Sequence, residues 1–251
     1  VEGARAIDPV SLRTHGPEHG EGILCIAGFG DDSTMFEPLV ATDLCSSFRL
    51  VTVDLPGFGE EPQISGRSAT LSDLADFVTA VATQASAESV LAHSAGSVVV
   101  GLAATAPGST IRTVISLEGN LTKADAYYSG LAAEFDTPEG FRQALLARLD
   151  PASEVDPLVS RYRSRVAQAD AHALWVLGND VAAYSKRRPP GELLLEVSRV
   201  HYIYNPSNCA ESSLAWLARS GLPATQLHGA SHWPTLDAPE RVAQAVTDVL
   251  A

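Results

Sequence analysis

The stretch "VLAHSAGSVVV" (Val90–Val100) places one hydroxyl, Ser94, between a short apolar run and an apolar segment of helical character. A buried strand that turns sharply into a helix brings the two backbones close together. The small residues Ala92 and Gly96, two positions to either side of Ser94, suit such a turn. A serine there is either the N-cap of the following helix or a nucleophile exposed at the tip of the turn. The small-X-Ser-X-Gly spacing alone does not separate the two. The rest of the chain has to supply the base, acid and amide donors that a nucleophile needs.

Outward from this junction, short apolar runs alternate with helical patterns. Buried strands are expected at 22–28, 48–56, 89–94, 111–119, 199–205 and 223–229, each bounded by Gly, Pro or polar residues. Helices are expected at about 70–86, 95–106, 210–220 and 237–251, the last with Asp237 as N-cap and Glu240 closing a capping box. The segment up to about residue 21 adds a strand or hairpin. Strand alternating with helix predicts an α/β fold with a mostly parallel, doubly wound sheet.

One interval interrupts the alternation. From Asn120 to about Val197 no buried strand is evident, and short helices are expected, split by Pro138, Pro151, Pro157 and "RRPPG". This interval carries nine of the chain's 17 Lys and Arg residues and is near neutral, whereas the remainder is strongly acidic. It reads as a helical cap (120–197) inserted into a core made of 1–119 and 198–251.

The 251 residues are 45% hydrophobic and carry a net charge of −13, with no low-complexity segment. An acidic chain argues against nucleic acid and anionic lipid as partners. Three scattered cysteines, Cys25, Cys45 and Cys209, make neither a disulfide framework nor a zinc site, and they fit a reducing cytoplasm. The start "VEGARAIDPV" has neither a basic n-region nor an apolar h-region, and no run reaches the length of a membrane span.

Two further segments carry candidate chemistry. "IAGFGDD" (26–32) ends a strand, and its glycines, Gly28 among them, let backbone approach a substrate carbonyl. The Phe29 and Ala95 N–H groups are the candidate oxyanion donors, each worth roughly 3 kcal/mol in a transition state. Asp31 or Asp32 can also cap the next helix. "HGASHWP" (228–234) places His232 in a loop before the last helix, where an imidazole is free to act as a general base. His228 is its rival, at a strand end and expected to point into a neighbouring layer; His15 and His19 are expected in solvent. His93, beside Ser94, is expected to line the pocket.

In order, "IAGFGDD", "VDLPGFG", "AHSAGS" and "GASHWP", with a cap between two strands, resemble the α/β-hydrolase superfamily over nearly the whole chain. The one departure in the elbow is Ala92 where that family usually has glycine. The resemblance implies a Ser-His-acid triad that maps to Ser94 and His232. The usual place for the acid falls near Asn208, an amide, which cannot stabilise an imidazolium by charge. Glu118, at the end of "TVISLEGN", is the favoured candidate, over Glu211 and Asp54. Lactonases of resorcylic macrolactones are similar in placing a glutamate after this strand. Asp54, in "VDLPGFG", is read as ordering its turn.

A serine rather than an aspartate at the elbow sets aside haloalkane dehalogenases and epoxide hydrolases. The resemblance then implies hydrolysis of a small, largely apolar ester or lactone without metal or organic cofactor. Thioester hydrolysis, acyl transfer, carbon–carbon cleavage and a non-catalytic receptor on the same fold are the alternatives. Met35, Phe36 and Trp233 are expected in the pocket wall, with Tyr127, Tyr128 and Trp175 of the cap either closing it or packing within the cap. A monomer or homodimer is expected.

Overall fold

The computed structural model describes residues 11–60 and 69–251. The reading of the first ten residues as lacking a leader therefore lies outside the described residues. Seven strands form one sheet: β1 (Arg13–His15), β2 (Glu21–Ile26), β3 (Phe48–Thr52), β4 (Ser89–His93), β5 (Thr113–Leu117), β6 (Arg199–Tyr204) and β7 (Ala224–Gln226). Their order is β1-β3-β2-β4-β5-β6-β7, and only the β1–β3 pair is antiparallel. Each of the six expected strands is present, and each ends short of its expected C-terminal bound. The N-terminal segment contributes the edge strand β1.

The central strands are buried on both faces, as their unbroken apolar runs require: every residue of β4 and β5 is buried. The helices before the insertion are α1 (Glu37–Val40), α2 (Leu44–Ser47), α3 (Leu71–Gln84) and α4 (Gly96–Thr105). Within or ending the insertion come α5 (Pro138–Ser153), α6 (Pro157–Gln168), α7 (Ala171–Arg187) and α8 (Pro190–Leu194). The chain closes with α9 (Glu211–Ser220), α10 (Pro234–Asp237) and α11 (Pro239–Leu250). Helix α4 packs on β2, β4 and β5 with α3 and α8 beside it, while α11 packs on β6 together with α1 and α2.

Every regular element between β5 and β6 is helical. Side-chain caps explain where its main helices start: Thr137, Asp156 and Asp170 accept N–H bonds at the heads of α5, α6 and α7. Pro138 and Pro157 fall in the first turns, where a missing N–H costs nothing. Phe141, Leu145 and Leu149, four residues apart on one face of α5, are fully buried. Each such side chain contributes roughly 1.5–3 kcal/mol. The insertion is tied to the sheet side by Asp180, whose carboxylate accepts the Leu71 N–H at 3.0 Å, and by Leu193 of α8 packed against Gly101.

Two local expectations are corrected. Pro151 does not split a helix: α5 runs on to Ser153, because the proline falls in the last turn and removes a single backbone donor. Asp237 does not cap the final helix. The chain inserts α10 first, Ala238 becomes the N-cap of α11 without a side-chain bond, and the Asp237 carboxylate instead accepts the Ser231 N–H at 2.8 Å.

Candidate active site

Ser94 stands between β4 and α4 with φ of +49°, a left-handed conformation rare for a residue with a Cβ. The turn is held on both sides. Ser94 N–H donates to Leu117 O at 3.0 Å, and the Ser94 carbonyl accepts from the Ser97 N–H and hydroxyl at 3.0 and 2.6 Å. Gly96 is required by proximity: a Cβ there would lie 2.5 Å from the carbonyl oxygen of Ala27. Ala92 is wholly buried between Ile26 and Ser116 in register, and its methyl group is accommodated.

The loop after β7 brings His232 over this turn, with Nε2 at 3.2 Å from Ser94 Oγ. Two amides hold the loop: Asn205 Nδ2 and Asn208 Nδ2 both donate to Ala230 O, at 2.6 and 3.3 Å. Asn208, at the usual acid position, thus has a structural partner. Its neighbour Glu211 heads α9, exposed. His228 is exposed rather than directed into a layer, and its carbonyl accepts from Arg241.

Glu118 follows β5 directly, with φ of +51°, and is buried. Its Oε1 accepts the Asn205 N–H at 2.6 Å, and its Oε2 lies 3.7 Å from His232 Nδ1, within ion-pair range but longer than a hydrogen bond. A left-handed non-glycine residue typically stores about 1–3 kcal/mol, and such strain concentrates at functional sites. Asp54 is spoken for elsewhere, accepting the Ser33 and Glu60 N–H groups at 2.7 and 2.9 Å. It orders the turn, as expected.

The cavity over Ser94 measures about 20 Å³, space for one or two water centres, and is lined by Phe29, Ala95, His93, His232, Tyr127 and Trp233 among others. Phe29 and Ala95 therefore flank the hydroxyl, Ala95 as the N-cap of α4, where backbone donors converge. Burial and the neighbouring His232 hold the His93 imidazole well below its ordinary pKa, so it is neutral. The His93 Nε2 faces His232 O at 2.7 Å, which requires the proton on that nitrogen. Burial pushes the Tyr127 and Tyr162 hydroxyls upward, keeping them protonated donors.

Four residues expected at the pocket do not line it. Met35 and Phe36 are fully buried in the core, in the short 3-10 turn Ser33–Phe36 capped by Asp32. Trp175 is held within the insertion, its Nε1 donating to Phe135 O at 2.9 Å. Gly28 lies beneath the turn, where a Cβ would come 2.9 Å from both His93 Nδ1 and Ser94 Cβ. Conversely, Asp31, Asn120, Asp125, Ser129 and Tyr162 line the cavity without having been expected there. Tyr162 OH donates to Phe29 O at 2.9 Å, and Arg161 holds Asp31 at 2.8 Å, so α6 docks directly on the β2 loop. "IAGFGDD" did flag that loop, but nothing local in "SRYRSR" pointed to it.

Among the described residues no group of His, Cys, Asp or Glu side chains is placed to hold a metal ion, and no helix is long and apolar enough to cross a membrane. Cys25, Cys45 and Cys209 are unpaired, and burial pushes the Cys209 thiol up to about 12.

A mostly parallel sheet with a serine elbow after its central strand, facing a loop histidine, defines the α/β-hydrolase class. The sequence matches the Alpha/beta hydrolase family over residues 23–245, and the chain belongs to that family. Its fold is similar to that of a thermophilic esterase from Thermogutta terrifontis, at 21% identity and TM-score 0.71, covering 96% of this chain and 92% of that one. It is also similar to the enol-lactonase from Burkholderia xenovorans, at 18% identity and TM-score 0.72, covering 96% and 95%. An esterase from Exiguobacterium antarcticum aligns at 15% identity and TM-score 0.71, again covering 96% and 95%. No curated protein sequence matches the chain.

Proposed function

We propose that the protein is a serine hydrolase that cleaves a small, largely apolar carboxylic ester or lactone through an acyl-enzyme on Ser94. The observation that carries this reading is the 3.2 Å approach of His232 Nε2 to Ser94 Oγ, with Glu118 on the far side of the same imidazole. His232 Nε2 takes the hydroxyl proton as Oγ attacks the acyl carbon. Glu118 orients the ring through Nδ1–H and stabilises the imidazolium. The Phe29 and Ala95 amides receive the developing oxyanion. His232 then protonates the leaving alkoxide and activates water to release the acid.

The tight, aromatic-lined cavity supports a small substrate. Tyr127, 40% exposed at its mouth and in edge contact with His232, is the side chain whose displacement admits one. The helical interval 120–197 acts as the cap over a core of 1–119 and 198–251. The unpaired thiols fit a cytoplasmic location, and the enzyme works as a monomer or homodimer on a small-molecule partner.

The test is labelling with an alkyl fluorophosphonate, followed by turnover on short aryl esters, lactones and acyl thioesters. The expected result is a single adduct on Ser94, absent in Ser94→Ala, with esters or lactones the better substrates. A folded wild-type protein that takes no label would overturn the reading in favour of a binding module.

A further inference from the structure

Asn120 stands in the wall of the Ser94 cavity, two residues beyond Glu118. It is 2% exposed, and its Nδ2 makes no hydrogen bond to any described residue. Three other polar side chains on that wall, Asp31, Asp125 and Tyr162, are occupied. Asp31 accepts from Arg161 and from the Asp32 N–H. Asp125 accepts the Leu121 and Thr122 N–H groups at 2.8 Å each, and the Ser213 hydroxyl. The Tyr162 hydroxyl is committed to Phe29 O. His93 Nδ1 is also unpaired, but it is an acceptor and abuts Gly28.

The backbone fixes where this amide sits. A Cβ on Gly119 would stand 2.0 Å from Ser116 Oγ and 2.4 Å from Ser97 Oγ, so that residue has no room for a side chain, and its carbonyl accepts from Tyr202 OH at 3.0 Å. On the other side, Asp125 holds the Leu121 N–H. A rigidly placed, solvent-excluded donor without a partner is costly unless a ligand completes it.

We infer that the substrate carries a second oxygen acceptor, a carbonyl or ether oxygen beside the scissile ester or lactone group, and that Asn120 Nδ2 donates to it. For what is cleaved, this rests on the hydrolase reading above; for what Asn120 binds, it rests on the orphaned amide. A site built to donate a hydrogen bond rejects the analogue that lacks the acceptor, because the donor then stays unpaired in the complex. Asn120 is thus a specificity residue for oxo- or alkoxy-substituted acyl compounds.

The test is equilibrium binding of benzyl butanoate and benzyl 3-oxobutanoate to Ser94→Ala, with and without Asn120→Leu. The leucine is close in volume to the amide and removes the donor. The expected result is that the affinity of the oxo ester relative to the plain ester falls about tenfold or more on Asn120→Leu. Asn120→Ser, which keeps a donor, is expected to retain part of the preference, and it carries the test if the leucine variant does not fold. An unchanged ratio in the folded variant overturns the inference. Hydrolysis that persists in Ser94→Ala overturns the nucleophile assignment instead, while the affinity ratio still judges Asn120.

Discussion

His93 donates through Nε2 to the backbone carbonyl of His232 at 2.7 Å, so the residue beside the elbow serine grips the main chain of the residue that faces the serine hydroxyl. The two rings lie 4.9 Å apart. The contact fixes the height of the His232 loop over the turn, and reacting groups displaced by 1 Å can lose about 10²-fold in rate. His93→Ala is expected to lower kcat for ester hydrolysis roughly 10- to 100-fold with little change in KM. His93→Gln, which keeps an amide donor, should recover much of that loss. Equal kcat in wild type and His93→Ala would remove the positioning role.

The same imidazole sets a stability trend with pH. Burial keeps His93 neutral when folded, well below its ordinary value of 6.5, whereas the unfolded chain protonates it near that value. The unfolded state then binds more protons as pH drops below about 6.5, and stability falls by about 1.4 kcal/mol per pH unit from this group. His201, also held low by burial, acts in the same direction. Urea unfolding of His93→Gln between pH 7 and pH 5 is expected to show a shallower acid loss than wild type. Parallel curves would mean that His93 is not the proton-linked group.

How much of this was legible in the chain follows from the range of the interactions. The juxtaposition of Ser94, His232 and Glu118 was legible because the first and last directly follow strands and His232 lies in the loop after the last strand, so the sheet order brings them to one edge. Met35 and Phe36 misled because an apolar pair after "GDD" looks the same whether it faces a pocket or the core. The Asp32 cap and the packing beneath decide which, and both depend on distant residues. Tyr162 and Asn120 escaped notice for the same reason: their place in the cavity is set by contacts more than 80 residues apart in sequence, such as Tyr162–Phe29 and Tyr202–Gly119. The final helix was mis-capped because α10 intervenes, four residues that a capping-box pattern cannot reveal.

The glutamate after β5 makes the sharpest mutational contrast. Glu118 is buried, accepts the Asn205 N–H and faces His232 Nδ1, whereas Glu211 is exposed at the head of α9. Glu118→Gln keeps the shape but removes the charge that stabilises an imidazolium, and ester turnover is expected to fall by about 10³- to 10⁴-fold. Glu211→Gln should change it by less than about twofold, as surface substitutions usually do. Steady-state rates on one aryl ester decide between them, and comparable losses in both variants would require another acid.

Gly96 tests the elbow itself. An added methyl would meet the Ala27 carbonyl at 2.5 Å, a backbone atom that cannot rotate away. Gly96→Ala is therefore expected to push α4 off the β2 loop, costing about 1–3 kcal/mol of stability and slowing fluorophosphonate labelling of Ser94. Ala92→Gly, two residues before the serine, introduces no clash and should label normally. Thermal melts and labelling rates of the pair separate the two effects. A Gly96→Ala protein as stable and as reactive as wild type would contradict the packing described for the turn.

The Asp31–Arg161 pair joins the loop after β2 to α6, and its two members are unequally buried: the aspartate side chain is 1% exposed, the arginine 21%. Burial already raises the Asp31 pKa, and the nearby Arg161 guanidinium opposes that rise. Arg161→Met leaves a carboxylate without its counter-charge, a loss of about 3–5 kcal/mol for a buried pair broken on one side. Because the folded-state value of Asp31 lies above its unfolded one, the aspartate penalises folding increasingly as pH rises, and the Arg161→Met deficit is expected to be larger at pH 7 than at pH 5. Adding Asp31→Asn to Arg161→Met removes the charge and should restore most of the stability. Urea unfolding of the wild type, the two single variants and the double variant measures the coupling directly. Additive losses would show that the aspartate and arginine act independently, and that other contacts, such as Tyr162 OH to Phe29 O and Arg165 to Asp32, hold the insertion to this loop.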